Sequence, residues 1–242
     1  ADISKSEIES LYIDKTLTLE ETASELGISV TGLRSIMKFY EIQIDRLSQF
    51  SLTDEEFAVI VGSALGDGYL NEFSGLEISH SEKQLDYLLY KQTLLSRLIK
   101  GSGGIGSLRK RKHKNDVYSY RLRTFGNTNI TKIRDVFYRG KTKIIPKNIA
   151  SLVSPLSLAI WYMDDGGKRG KTRGRIATCC FSIEEVTTLN TMLNEKFNIQ
   201  SVITTEGKYN TISFPSRNGA FKKFCDVISP YVPECMTYKL IP

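Results

Sequence analysis

The residues that build zinc clusters, disulfide frameworks and membrane spans are scarce in this chain. Its 242 residues include four cysteines, two histidines and one tryptophan. Cys179 and Cys180 are adjacent, Cys225 and Cys235 stand apart, and His80 lies far from His113. None of this has the paired spacing of a zinc site. We read the cysteines as structural thiols in a reducing compartment. No apolar run approaches the ~20 residues that cross a bilayer, so no membrane partner is expected. No basic-then-apolar leader stands at Ala1, so the expected setting is intracellular (cytoplasmic, organellar or phage-encoded) and not secreted.

Positive charge is present in excess, and unevenly. The net charge is +6; residues 1–50 hold nine acids and five bases, a local −4, so the other 192 residues carry +10. A basic body suits a polyanionic partner.

Residues 1–42 read as helical. Thr18 with Glu21 three residues later forms a capping box, Gly27 turns the chain, and Ser29 caps a second helix with Val30, Leu33, Ile36 and Met37 on its apolar stripe. Helix–Gly–helix is the pattern of a helix-turn-helix module, which would present Thr31, Arg34, Ser35 and Lys38 outward. The acidic balance equally fits a small helical domain that packs on protein. Gln43–Thr53 reads as a linker, after which Thr53 or Ser51 caps the next helix.

From there one order of elements occurs twice. The first cycle opens on Ile60-Val61-Gly62-Ser63-Ala64-Leu65-Gly66-Asp67-Gly68 and ends on Lys143-Ile144-Ile145-Pro146. The second opens on Leu158-Ala159-Ile160-Trp161-Tyr162-Met163-Asp164-Asp165-Gly166 and ends on Lys239-Leu240-Ile241-Pro242. Asp67 and Lys143 are 76 residues apart, Asp165 and Lys239 are 74, and the two aspartates are 98 apart. That period is too long for a solenoid unit and suits two fused copies of one α+β domain. Between the landmarks we expect strands at Leu76–His80, Ile105–Lys112 and Val117–Thr124, and helices at Glu82–Lys100 and Thr128–Tyr138. Gly101–Gly104 stops the first of these helices. The second half repeats this with hairpins at Lys168–Phe181 and Ser201–Phe214, the latter turning at Gly207-Lys208, and helices at Ser182–Phe197 and Asn218–Ile228.

Two glycines inside the first motif helix each cost up to ~1 kcal/mol, which close approach of a partner helix would offset. The second motif helix is the natural partner. Packed side by side, the two would bring Asp67 and Asp165 together at one end, where paired carboxylates call for a cation. An ordinary core helix with an Asp-Gly turn explains either copy alone; the duplication, with its paired lysines, favours the metal site.

These segments resemble the paired signature motifs of the LAGLIDADG homing endonucleases, in the single-chain form that carries both copies. Ser154 to Lys168 follows that pattern almost position by position, and the first copy departs by having Gly66 before Asp67. The likeness covers roughly residues 54–242. It implies an α+β fold of two pseudo-symmetric αββαββα half-domains, residues 51–145 and 146–242, forming a DNA-binding saddle. Residues 1–50 add the small all-α module and linker. It further implies Asp67 and Asp165 as ligands of Mg²⁺ (Mn²⁺ as a substitute), with the backbone carbonyls of Gly66 and Asp164 assisting. Lys143 and Lys239 would be the active-site lysines. The expected activity of the monomer is double-strand cleavage of a long asymmetric DNA target. An intron maturase, a non-cleaving DNA-binding regulator and an RNA-splicing cofactor are the alternatives.

The DNA surface is expected on two basic ribbons. Arg109, Lys110, Arg111, Lys112 and Lys114 lead into a strand with Tyr118, Tyr120, Arg121 and Arg123. In the other half Lys168, Arg169, Lys171, Arg173 and Arg175 occupy a strand-turn-strand with no acid between Gly166 and Phe181. A two-stranded ribbon fits the major groove. Arg34 and Lys38 would add contacts from the N-terminal module.

Overall fold

The computed structural model describes residues 3–14, 17, 19–42, 51–72, 75–99, 108–112 and 118–240. In the N-terminal segment, α1 (Lys5–Glu9) runs into a π turn and is followed by α2 (Leu19–Glu25) and α3 (Val30–Phe39). Gly27 turns the chain at φ +65°, and the Ser29 side chain accepts the Gly32 N–H. Ile8, Ala23, Leu33, Met37 and Ile42 form a small core of their own. The expected Thr18 cap lies outside the described residues.

The larger core runs from Ala58 to Met236 and centres on two helices. The first, α4 (Asp54–Leu65), starts from a capping box in which Thr53 and Glu56 satisfy each other's backbone N–H groups. The second, α8 (Pro155–Asp165), starts from Ser154 and Ser157 with Pro155 in the first turn. Ala58 to Leu65 and Leu156 to Met163 are buried without a break, as for helices enclosed on all sides. Their mutual contact is the most extensive between any two helices. Gly62 lies at the crossing: a Cβ there would come within 2.5 Å of the Ser157 carbonyl and 2.7 Å of Ile160 Cβ. The glycine cost is therefore offset by close packing of α4 on α8.

Each central helix leads into a four-stranded antiparallel sheet. After α4 come β1 (Tyr69–Leu70), β2 (Leu76–Ser81), α5 (Leu85–Leu94), β3 (Arg109–Lys112) and β4 (Tyr118–Arg123), in sheet order β1-β2-β4-β3. After α8 come β7 (Gly166–Arg169), β8 (Arg173–Ala177), α9 (Ile183–Lys196), β9 (Val202–Glu206) and β10 (Tyr209–Phe214), ordered β7-β8-β10-β9. The repeated order is the duplicated αββαββ plan, closed in the halves by α6 (Thr128–Phe137) and α10 (Ala220–Ile228).

Several expected boundaries shift. The long helix over Glu82–Lys100 is a 3₁₀ turn, then α5, then a second 3₁₀ turn at Ser96–Leu98. Lys100, Gly101–Gly104 and the turn at Lys114-Asn115-Asp116 lie outside the described residues, as do Ile105 and Val117, with which the two strands of the first hairpin were expected to begin. Two small elements were not expected: the pair β5 (Tyr138–Arg139) and β6 (Thr142–Lys143), and α7 (Ile149–Leu152). The β5–β6 pair pivots on Gly140 at φ +61° and returns Lys143 opposite Tyr138.

Candidate functional site

The two motif helices end differently. In α8, Asp165 is the last helical residue, and the next N–H, from Gly166, still bonds to the Tyr162 carbonyl. In α4 the helix stops at Leu65, Gly66 leaves it at φ −97°, ψ −133°, and Gly68 N–H reaches back to the Ser63 carbonyl. Asp67 thus stands beyond its helix, while Asp165 belongs to its own.

Both terminal carboxylates sit in an electrostatically strained setting. Burial, then the neighbouring Asp67 and Asp164, pushes the Asp165 carboxyl up to about 7. Asp67 is also raised, by burial first and Asp164 second. Among the described residues no hydrogen-bond donor reaches the Asp165 side chain. Neighbouring carboxylates that disfavour one another's charge, Asp165 partly buried and Asp67 about half exposed, are what a divalent cation relieves, and their oxygens suit Mg²⁺ without histidine or cysteine. The donor set fits the implied metal.

The lysines expected to serve these sites reach them. Lys143 Nζ donates to the carbonyls of Gly66 at 2.9 Å and Gly68 at 3.2 Å. Lys239 Nζ donates to those of Met163 at 2.6 Å and Gly166 at 2.8 Å. Each ammonium therefore caps the C-terminal turn beside one aspartate, where unpaired carbonyls and the helix dipole favour positive charge. Burial lowers both lysine pKa values. The Gly66 carbonyl, expected near the metal, is held by Lys143. Tyr162 donates its hydroxyl to the Lys239 carbonyl at 2.9 Å, fixing that lysine's backbone from α8.

For Asp164 the expectation concerns the backbone carbonyl and says nothing of the side chain. Its side chain turns inward, fully buried, to Lys91 Nζ at 2.6 Å and the Tyr87 hydroxyl at 2.8 Å. Asp67, His80 and Asp164 offer ligand atoms within 4.8 Å of one another, but this is not the expected Asp67–Asp165 pair. The Lys91 ammonium already supplies positive charge there, 3.4 Å from His80 Nε2. Burial, then Lys91, lowers His80 to about 4, so its ring is neutral at neutral pH. Sequence reading missed Tyr87, Lys91 and His80. The available signal was Lys91 between Leu88 and Leu95, a charge on the apolar stripe of a helix.

Strand parity divides the expected DNA-contacting residues. In the first sheet Ile78 and Leu122 are buried against the helices. By register Tyr120, Tyr118, Lys110 and Lys112 share that face, while Arg109, Arg111, Arg121 and Arg123 share the opposite, open one. Lys110 packs its ammonium 4.1 Å from the Tyr118 ring centre and 3.2 Å from Glu82. In the second sheet Arg169, Arg173 and Arg175 lie on the open face, Lys168 has the parity of buried Ile176, and Lys171 is in the turn.

Each open face carries a glutamate between two arginines. Glu77 meets Arg121 at 3.5 Å and Arg123 at 3.0 Å. Glu206 meets Arg169 at 2.6 Å and also Arg175. The second basic ribbon, free of acids in sequence, receives one from β9. On α3, Arg34 and Lys38 are exposed with no ionic partner among the described residues. Lys114 lies outside the described residues.

Residues 57–221 match the LAGLIDADG DNA endonuclease family, and the chain belongs to that family. It is similar to the cytochrome b mRNA maturase bI2 of Saccharomyces cerevisiae, 31% identical over 198 residues, covering 76% of this chain but 46% of that protein. The chain thus spans about half the length of that relative. It is also similar to the probable intron-encoded endonuclease 1 of Wickerhamomyces canadensis, 28% identical over 227 residues, 85% of this chain and 90% of that one. Among solved structures, the homing endonuclease I-WcaI bound to its DNA recognition sequence matches with a TM-score of 0.69 at 26% identity. That match covers 79% of this chain and 88% of the other. No helix of the described residues is long and apolar enough to cross a membrane.

Proposed function

We propose that this protein is a monomeric, Mg²⁺-dependent, site-specific endonuclease that cuts both strands of a long asymmetric DNA duplex. Residues 51–145 and 146–242 act as its two half-domains, and residues 1–50 as an added helical module. The observation that carries this reading is the convergence of two half-buried lysines on the two motif aspartates: Lys143 and Lys239 each favour the charged form of both Asp67 and Asp165, from the carbonyls of Gly66 and Gly166 beside them. A protein that only bound DNA would not need that quartet.

Asp67 and Asp165 would hold the divalent cations, with Mn²⁺ able to substitute. Bound there, the metal supplies charge neutralisation at the scissile phosphate and activation of water. The chain's own residues do the rest. Lys143 and Lys239 hold positive charge beside the developing negative charge of each cut. The open-face arginines bind the duplex and read base edges, making affinity fall steeply with salt. Because the two open faces carry different residues, the target should be asymmetric. Two ribbons flanking one centre fit a site on the order of two helical turns.

Incubation with a randomised duplex pool and Mg²⁺ should yield discrete double-strand cuts at one selected sequence. Salt-sensitive binding without scission, across the whole pool, would refute the nuclease. The bI2 maturase relative keeps a second reading in view, assistance of intron splicing. It predicts tight binding of an intron RNA and no DNA product.

A further inference from the structure

The two catalytic ends are not equivalent, and the difference traces to one buried lysine. Asp67 lies past the end of α4, so its N–H has no helical acceptor. That N–H goes instead to Asp164 Oδ2, at 3.2 Å, across from the other half. Asp164 Oδ1 is held in turn by Lys91 Nζ at 2.6 Å and the Tyr87 hydroxyl at 2.8 Å. Lys91 and Asp164 have fully buried side chains. Asp165 needs no such anchor, because it ends its own helix.

Among the described residues nothing mirrors this arrangement in the second half. At the repeat spacing of 98 residues, Asp164 corresponds to Gly66, Lys91 to Leu189 and Tyr87 to Glu185. Leu189 is core, and Glu185 accepts the Ile145 N–H at 2.9 Å instead. A buried ion pair is weak support for stability, since apolar side chains of similar volume often serve as well or better. The pair does fix the backbone that aims Asp67.

We propose that Lys91 is a positioning residue for one of the two cuts: through Asp164 it orients Asp67, and its loss slows scission of one strand far more than of the other. This rests on the nuclease reading above. The test is strand-resolved cleavage of the selected duplex, each strand carrying its own end label, in Mg²⁺. Lys91→Met strands the Asp164 charge and endangers folding. The pair Lys91→Met with Asp164→Leu removes both charges, keeps an apolar filling, and leaves Tyr87 its second acceptor, the Ile160 carbonyl at 3.2 Å.

The double variant should melt cooperatively, bind the duplex as the parent does, and cut one strand at least about tenfold more slowly relative to the other, so that nicked product accumulates. Lys91→Arg, which keeps the charge, should restore part of the balance. Equal slowing of both strands, or no slowing, overturns the proposal. Failure of the unaltered protein to cut either strand would instead overturn the nuclease reading.

Discussion

Gly66 and Asp164 hold corresponding positions in the two motifs and fill one shared space between them. A Cβ on Gly66 would lie 2.6 Å from both Asp164 Cβ and Asp164 Oδ2. One motif can carry a carboxylate there only because the other carries no side chain. Gly66→Ala is therefore expected to push α4 from α8 and cost roughly 1–3 kcal/mol. A fall of several degrees in melting temperature checks this; an unchanged melt would mean that the helices do not approach so closely.

The raised carboxyls set a pH dependence. Asp165 titrates near 7 when folded and in the ordinary carboxylate range when unfolded. The unfolded chain binds fewer protons between those values, so stability is lost as pH rises through 7. His80, at about 4 against an ordinary 6.5, acts in the opposite sense below 6.5, so the clean window lies above that. With a chelator present, the melting temperature should fall by a few degrees between pH 6.5 and 8, and added Mg²⁺ should remove most of the fall. A profile that rises in chelator contradicts the assignment.

Much of this frame is legible in the sequence. The capping residues Thr53 and Ser182, the glycines of the first motif helix and the two Asp-to-Lys cycles are local or periodic signals, and the two fused α+β copies follow from them. Local signals do not report which distant group fills a gap. Glu206 reaches Arg169 and Arg175 only because β9 and β7 belong to one sheet. For Asp164 the resemblance speaks only of the backbone carbonyl, and nothing local reports where its side chain goes. It turns inward because Gly66 leaves room and Lys91 supplies the charge.

Strand parity gives a contrast between neighbours. Arg111, on the open face without an ionic partner among the described residues, should matter for base reading. Arg111→Ala is expected to cost about 1–3 kcal/mol on the preferred duplex and to relax preference at one position. Lys110→Ala, on the opposite face, should change affinity by less than about 0.5 kcal/mol. Binding titrations against matched and mismatched duplexes decide this, and equal effects would sink the division of faces.

The N-terminal helix α3 gives a separate test. Its outward Arg34 and Lys38 are two of the five bases in the net-acidic segment 1–50. If they meet phosphates, Arg34→Ala with Lys38→Ala should lower the slope of log affinity against log salt by about 2, with cleavage position unchanged. An unaltered slope would restrict DNA contact to the two sheets.

The most direct measurement is cleavage of the selected duplex by Asp67→Asn and by Asp165→Asn, alongside their binding to it. The account predicts that both variants still bind the duplex while neither yields linear double-strand product in Mg²⁺. Full Mg²⁺-dependent linearisation by either variant would contradict it.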